Sequence, residues 1–375
     1  MIYFDNSATT FPKPNEVYEA LDYANRNLAF NAGRGNYEVA KKCCDIIKNT
    51  REKLAKINNV DYKNVTFMSS ATEALNLIIS GMEFNEGDYV YYSPFEHNSI
   101  IRPLFRIAEI KKINLKIIPF NKKTLELDSN TLQNDFALYP PKAVFLSHVS
   151  NVVGNILPYE LIFEFSKKYN SINVLDCAQS YGVITPNIIN IDFIVFAGHK
   201  SLYASFGVAG FINVNNIKLN IVKSGGNGSD SLNKNMPSSY YERYESGTPN
   251  IVAIYSLNVS LDWLFNNNIH NHELKLVEYF INKIQDNKKI ILHTIEDKKA
   301  KTGIISFNVI GYKASEVGEI LSDEFGICLR TGYHCSPLIH DLLNTHEFGG
   351  TVRLSFGAFN TFDEIDVLIE ALETL

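Results

Sequence analysis

Cysteine is sparse in this chain: five residues in 375, an odd number that cannot pair completely. That excludes the small disulfide-stapled secreted classes and points to a reducing compartment. No apolar run reaches the ~18 residues a membrane helix needs. The longest uncharged stretch, after Lys142, is interrupted by His148, Asn151, Asn155 and Pro158. The opening residues through Asp5 lack the basic segment of a secretory signal, and no lipidation motif precedes Leu375, so the expected location is the cytoplasm. An excess of positive charge is also missing. The 35 Lys+Arg against 41 Asp+Glu give a net charge of -6, which argues against a nucleic-acid footprint. Only eight basic residues are arginines, so the place of each one matters. There is no internal repeat, low-complexity tract or long charge run. Neither GxGxxG nor GxxxxGK[ST] occurs, and Cys and His show no ligand spacing, so no nucleotide or metal site is expected.

What remains is an ordinary globular composition, 45% hydrophobic and 20% charged, with room for two or three domains. Periodicity predicts helices over 15–27 and 37–57, a strand over 65–68, and a turn into a helix at 69–74. Further strands are expected at 89–92, 115–119, 143–147, 172–176, 193–196 and 208–212, with segments of helical length such as 158–169 between them. Strands alternating with helices predict an α/β fold with a mostly parallel sheet covered on both faces. After about Tyr255 the pattern changes to a helix near 253–265, an antiparallel strand at 303–308, a helix at 315–325 and a strand at 327–330. The expected division is a large domain over 15–254 and a smaller α+β domain from 1–14 and 255–375. The polar span 227–239 reads as an exposed loop.

Several unusual residues fall at predicted strand ends, where ligands of parallel α/β sheets bind. Gly198-His199-Lys200 follows the apolar strand 193–196, and Asp176 ends the strand 172–176. Taken singly, such a lysine reads as surface charge and such an aspartate as a cap. Together they suit pyridoxal phosphate, whose aldehyde takes a lysine and whose ring nitrogen takes an aspartate. Ser69, Ser70, Ala71 and Thr72 lie between a strand and a helix start, which is either a plain N-cap or an anion site. His97 follows another strand and could stack on a heterocycle or merely begin a helix.

These residues belong to eight motifs: Phe4-Asp-Asn-Ser-Ala-Thr-Thr10, Ser70-Ala-Thr-Glu73, Glu96-His97, Val149-Ser-Asn151-Val-Val-Gly154, Asp176-Cys-Ala-Gln179, Gly198-His-Lys200, Glu245-Ser-Gly-Thr-Pro-Asn250 and Arg330-Thr-Gly-Tyr-His-Cys335. Their order, from Phe4 to beyond Arg353, resembles the cysteine desulfurases, class V aminotransferase-like enzymes of pyridoxal-phosphate fold type I. The resemblance implies a large domain with a mostly parallel, seven-stranded type of sheet between helices, plus a smaller α+β domain. It also implies roles. Lys200 would carry the cofactor, Asp176 pair with its ring nitrogen, Gln179 bond its phenolic oxygen and His97 stack on its ring. Ala71, Thr72 and His199 would lie on the phosphate, and Thr248 would reach the phosphate of a neighbouring subunit, which makes a homodimer necessary. Asn151 would sit beside cofactor and substrate, Arg353 would grip the substrate carboxylate, and Arg330 would help orient it. Gly33 and Arg34 resemble a loop at the site mouth. Ala197 departs from the family pattern, in which a hydroxyl touches the phosphate.

The reaction class turns on Cys335. Cys43, Cys44, Cys177 and Cys328 read as small core residues. Cys335 lies in a loop between Arg330 and Arg353, and flanking cations favour a nucleophilic thiolate. The resemblance then implies conversion of L-cysteine to L-alanine, with sulfur passing to Cys335 as a persulfide and His97 a candidate acid. The compact cysteine loop resembles the subgroup served by a sulfur-acceptor protein. The alternatives are a class V aminotransferase, or a selenocysteine or cysteine lyase, in which Cys335 is a bystander. A non-catalytic scaffold is disfavoured by Lys200, Asp176 and His97.

Overall fold

Apolar runs such as 143–146 and 193–196 must be covered on both faces of a sheet to leave water. The computed structural model shows how this happens; it describes every residue except 33, 34, 229–231, 239 and 296–299. The span begins with a short strand β1 (Ile2–Tyr3) and helices α1 (Asn15–Asn27) and α2 (Glu38–Ile57). The next strands are β2 (Val65–Met68), β3 (Tyr89–Tyr92), β4 (Asn114–Ile117), β5 (Pro141–Ser147), β6 (Ile172–Asp176), β7 (Phe193–Ala197) and β8 (Ala209–Asn213). They form one seven-stranded sheet in the order β2-β8-β7-β6-β5-β3-β4. Only β8 runs against the others, pairing antiparallel with both β7 and β2. The expected mostly parallel α/β sheet is therefore present.

Alternate residues along each strand enter two different cores, as the two-residue period of a strand requires. Val144, Leu175 and Phe196 face a core closed by α2, by α5 (Ser129–Leu138) and α6 (Tyr159–Lys167), and by α7 (Ile251–Phe265). Phe145, Val174 and Val195 face the other core, under α3 (Ala71–Gly81) and α4 (Asn98–Lys111). Local signals start these helices: Ser70 accepts a bond from Glu73 N, Asp128 from Thr131 N and Asn250 from Ala253 N.

A second sheet, entirely antiparallel, has the order β12-β13-β10-β9. Its strands are β9 (Ile290–His293), β10 (Ile304–Val309), β12 (Arg330–Gly332) and β13 (Thr351–Ser355). Helices α8 (Ile269–Ile284), α9 (Ala314–Phe325) and α11 (Phe362–Glu373) share a core with it that includes Phe4, Phe307 and Leu354. β11 (Ile327–Cys328) pairs in parallel with β1, and a short α10 (Ile339–Leu343) follows β12.

Two expectations need correction. The single strand expected at 327–330 is two strands: β11 joins β1, and β12 joins β13 in another sheet. A short apolar run carries no sign that its partner changes at Leu329. Of the four cysteines expected as core, Cys43 and Cys177 are buried but Cys44 and Cys328 only half so. Adjacent residues on a helix point about 100° apart, and Cys44 falls on a side of α2 that is only partly covered. Residues 254 and 255, the expected domain boundary, lie inside α7, which packs against α1 and α2. Gly154 brings the loop after β5 onto the second sheet. Its φ is +69°, and a β-carbon there would overlap the Ile304 carbonyl oxygen.

Candidate active site

The strands β2, β3, β5, β6 and β7 point the same way, so their carboxyl ends meet at one edge of the sheet. A cavity lies there. It is lined by Ala71 and Thr72 after β2, His97 after β3, Asn151 after β5, Asp176 and Gln179 at the end of β6, and His199 and Lys200 after β7. Eight residues singled out from the sequence thus share one space, although 129 positions separate Ala71 from Lys200.

Asp176 is buried, and its Oδ1 accepts a hydrogen bond from Ala178 N at 2.9 Å. Burial raises its pKa, while that bond and the Lys200 charge oppose the rise. Lys200 is pushed down to about 8, first by burial and then by Arg353 and Arg330, against the pull of Asp176. Its amine is therefore more often free base near neutrality than an ordinary lysine. The backbone that carries it is held by the N-terminal segment. Thr10 N donates to His199 O, and Thr10 Oγ1 lies 3.3 Å from Lys200 O.

His97 caps α4 by accepting from Ser99 N at its Nδ1, 3.1 Å away, so the neutral ring carries its hydrogen on Nε2. Burial, then the cations Lys200, Arg330 and Arg353, push its pKa down to about 3. An uncharged ring suits stacking better than proton donation. His199 stacks on Phe206 at 4.7 Å and is pushed down to about 4 by burial and then by Lys200 and Lys13. Its Nδ1 is buried without a hydrogen-bond partner.

This chemistry fits pyridoxal phosphate. Among the described residues Asp176 is buried with one hydrogen bond to its carboxylate and no close ion pair, Lys200 with its lowered pKa lines the same cavity, and His199, whose Nδ1 is buried without a partner, lines it together with Ala71 and Thr72 at the start of α3. Ala197 lines the same cavity and offers only a methyl group where the family pattern has a hydroxyl. Ser70, also at the wall, uses its hydroxyl to cap Glu73 N.

The remaining expected residues lie elsewhere. Thr248 does not join Lys200 in its own chain. It lines a separate cleft on the other side of the 69–73 turn, with Ser69, Glu73 and Ser246. Glu245 anchors that segment through an ion pair of 2.6 Å to buried Arg51 and a bond from Phe67 N. Arg34 and Gly33 lie outside the described residues.

Cys335 is exposed, in the loop after β12. His334 and Cys335 both have positive φ, 48° and 57°, a conformation that non-glycine residues adopt only when held. The holding bonds are present. Asn98 N donates to Cys335 O at 2.7 Å, Asn151 Nδ2 to His334 O at 2.8 Å, and Ser336 Oγ to Asn151 Oδ1 at 2.7 Å. Buried His334 adds a bond from Nε2 to Thr351. Asn151 thus joins the cofactor cavity to the cysteine loop. Arg330 Nη2 reaches Cys335 Sγ at 3.7 Å. Arg353 is 1% exposed and bonds Asn151 O and Asp5 Oδ1.

Three contributors have no role assigned from the sequence. Glu96 is fully buried and ties β3 to β5 through Ser93 Oγ, Ser147 N and Ser147 Oγ. Ser336 and Asp5 act through partners 185 and 348 positions away. Both acids stand in motifs already quoted, Glu96-His97 and Phe4-Asp-Asn-Ser-Ala-Thr-Thr10, but the motifs do not say what either carboxylate bonds.

Comparison with known proteins agrees with this geometry. A family model described as aminotransferase class-V matches residues 2–368. A protein of Methanothermobacter thermautotrophicus named "Probable cysteine desulfurase" is 28% identical over all of this chain and 94% of its own length. One of the same name from Borreliella burgdorferi is 30% identical over all of this chain and 91% of its length. The solved structure of a cysteine desulfurase from Thermococcus onnurineus NA1 superposes with a TM-score of 0.91 at 26% identity, over all of this chain and 94% of that one. No helix among the described residues is long and apolar enough to cross a membrane. The chain is an enzyme of the class-V aminotransferase family, and these relatives, matched along its whole length, are named cysteine desulfurase or probable cysteine desulfurase.

Proposed function

We propose that this enzyme holds pyridoxal phosphate at Lys200 and converts L-cysteine to L-alanine, the sulfur passing to Cys335 as a persulfide. The observation that carries the reading is the meeting of Lys200, Asp176 and His97 in one cavity whose wall residue, Asn151, clamps the loop of an exposed Cys335. When bound, the cofactor supplies an electron sink for the substrate carbons.

The chain's residues do the rest. Asp176 would hold the proton on the cofactor's ring nitrogen, Gln179 would bond its phenolic oxygen, and the neutral His97 ring would stack on its ring. The α3 N-terminus with Ala71 and Thr72, together with His199, would hold the phosphate. Lys200, with its lowered pKa, takes the Cα proton and can return it to the product. Arg353 and Asn151 hold the substrate carboxylate, and Arg330 stays beside the Cys335 sulfur. The balance needs no outside oxidant: L-cysteine and the Cys335 thiol give L-alanine and a Cys335 persulfide, one C–S bond breaking as one S–S bond forms.

Thr248 serves a second copy, which is consistent with its separate cleft; the working unit is a homodimer. The unit over 15–254 carries the cofactor, and that from 1–14 and 255–375 brings Arg330, Cys335 and Arg353. The bonds that pin the loop keep Cys335 in place, so a sulfur-acceptor protein of the cytoplasm comes to it.

The test reduces one portion of the enzyme with pyridoxal phosphate by borohydride for peptide mapping, and assays a second, unreduced portion with L-cysteine. A pyridoxyl group on Lys200 and equal yields of alanine and transferable sulfur support the proposal. Transamination of L-cysteine or another amino acid with no sulfur release supports the aminotransferase alternative.

A further inference from the structure

The two arginines nearest the site face each other directly across neighbouring strands: Arg330 of β12 is paired in register with Arg353 of β13. Like charges placed opposite one another in a sheet repel. Arg353 is nonetheless buried, 1% exposed, and a buried guanidinium needs both an anion and its hydrogen bonds. The anion is Asp5, whose Oδ1 accepts from Arg353 Nη2 at 2.6 Å. Nη1 donates to Asn151 O at 2.9 Å, while Nε is buried without a partner. Two of the fork's nitrogens are thus tied down and a third is free.

Asp5 itself is fixed on the frame that carries Arg353. It bridges to Ser355, two residues along β13, and Ser355 N donates to Phe4 O at 2.7 Å. Ser7 N bonds Ser355 Oγ at 2.9 Å, and the Tyr3 hydroxyl donates to the Asp5 carbonyl at 3.1 Å. The backbone under the carboxylate is therefore fixed to the strand that carries Arg353. The ion pair ties Arg353 beside Asn151, a wall residue of the cavity, and leaves Arg330 as the guanidinium at the thiol.

We infer that Asp5 is a positioning residue for substrate: it sets the Arg353 guanidinium so that its unbonded N–H groups meet the α-carboxylate of the amino acid. The inference rests on the proposal that Arg353 holds that carboxylate. A guanidinium free to rotate would still carry charge but would lose the fixed fork that a carboxylate fits.

The test uses the enzyme with pyridoxal phosphate and two thiol amines, L-cysteine and cysteamine, which lacks the carboxylate. Steady-state constants are measured for L-cysteine, and half-saturation of the cofactor's spectral change is measured for both. Asp5→Ala is expected to raise KM for L-cysteine about tenfold with kcat within about twofold, and to leave cysteamine half-saturation unchanged. Asp5→Asn, which keeps an oxygen acceptor, is expected to recover most of that loss. Equal weakening toward both amines, or no weakening toward L-cysteine, overturns the inference. Arg353→Lys separates the two layers. If it leaves L-cysteine binding untouched, the carboxylate proposal falls and Asp5 falls with it. If it weakens L-cysteine alone while Asp5→Ala does not, only the Asp5 inference falls. Should Asp5→Ala fail to fold, Asp5→Glu decides: the displaced carboxylate must raise KM for L-cysteine selectively, and equal loss toward both amines refutes the role.

Discussion

Replacing Glu96 by Gln gives a quantitative check on the site's electrostatics. Glu96 is fully buried between β3 and β5, where burial outweighs three hydrogen bonds and pushes its pKa up from 4.5 to about 7. A carboxyl whose folded pKa is raised binds its proton more tightly in the folded state. Its favourable contribution is therefore complete below pH 4.5 and is lost as pH rises through 7. The gap between the two values corresponds to about 3 kcal/mol. Gln keeps the shape and can still accept from Ser147 N, but it does not titrate. Thermal unfolding of native and Glu96→Gln protein at pH 5 and pH 8 isolates the effect, because other titrations cancel in the comparison. Part of that loss has already occurred at pH 5, so relative to the variant native protein is expected to lose about 2–3 kcal/mol between those pH values. For a chain of this length that is a shift in Tm of about 3 °C. Parallel pH dependences, or a native protein that gains on the variant as pH rises, would refute the reasoning.

Other consequences are open to simple assays. Lys200→Ala is expected to retain its fold but take no borohydride-stable pyridoxyl group; a label on another lysine would contradict the assignment. Asn151→Ala removes the bonds to His334 O and Ser336 Oγ, so Cys335 should alkylate several-fold faster with iodoacetamide, and stability should fall by about 1–2 kcal/mol. An unchanged alkylation rate would mean the clamp does not control the loop.

Much of this architecture is legible in the chain because local signals and burial agree. The run ending at Asp176 is a strand to the residue, and Ser70 caps the helix expected after β2. The cofactor cavity was readable for a topological reason: parallel strands separated by helices bring all their carboxyl ends to one edge, so residues just past apolar runs must converge. The cysteine site was less legible. Cys335 stands out by its arginines, yet only Arg330 reaches the sulfur. Arg353 turns to Asp5, a choice made by a β-bridge between the two ends of the chain. The split of 327–330 into two strands has the same origin, since β1 supplies a partner from the opposite terminus. Contacts spanning more than 300 positions leave no periodicity to read. Thr248 shows another limit: within one chain it lies in a separate cleft from Lys200, apart from the residues its motif was read with.

The most direct test of the account is the stoichiometry of L-alanine and sulfur formed from L-cysteine by native enzyme and by Cys335→Ser, both carrying pyridoxal phosphate. Native enzyme should release alanine and reductant-labile sulfur in equal amounts, with one sulfur per subunit retained on the peptide containing Cys335 before reductant is added. Cys335→Ser should keep the cofactor's absorbance and its spectral response to L-cysteine while forming neither product at an appreciable rate. Undiminished alanine and sulfide production by the serine variant would contradict the claim that Cys335 receives the sulfur.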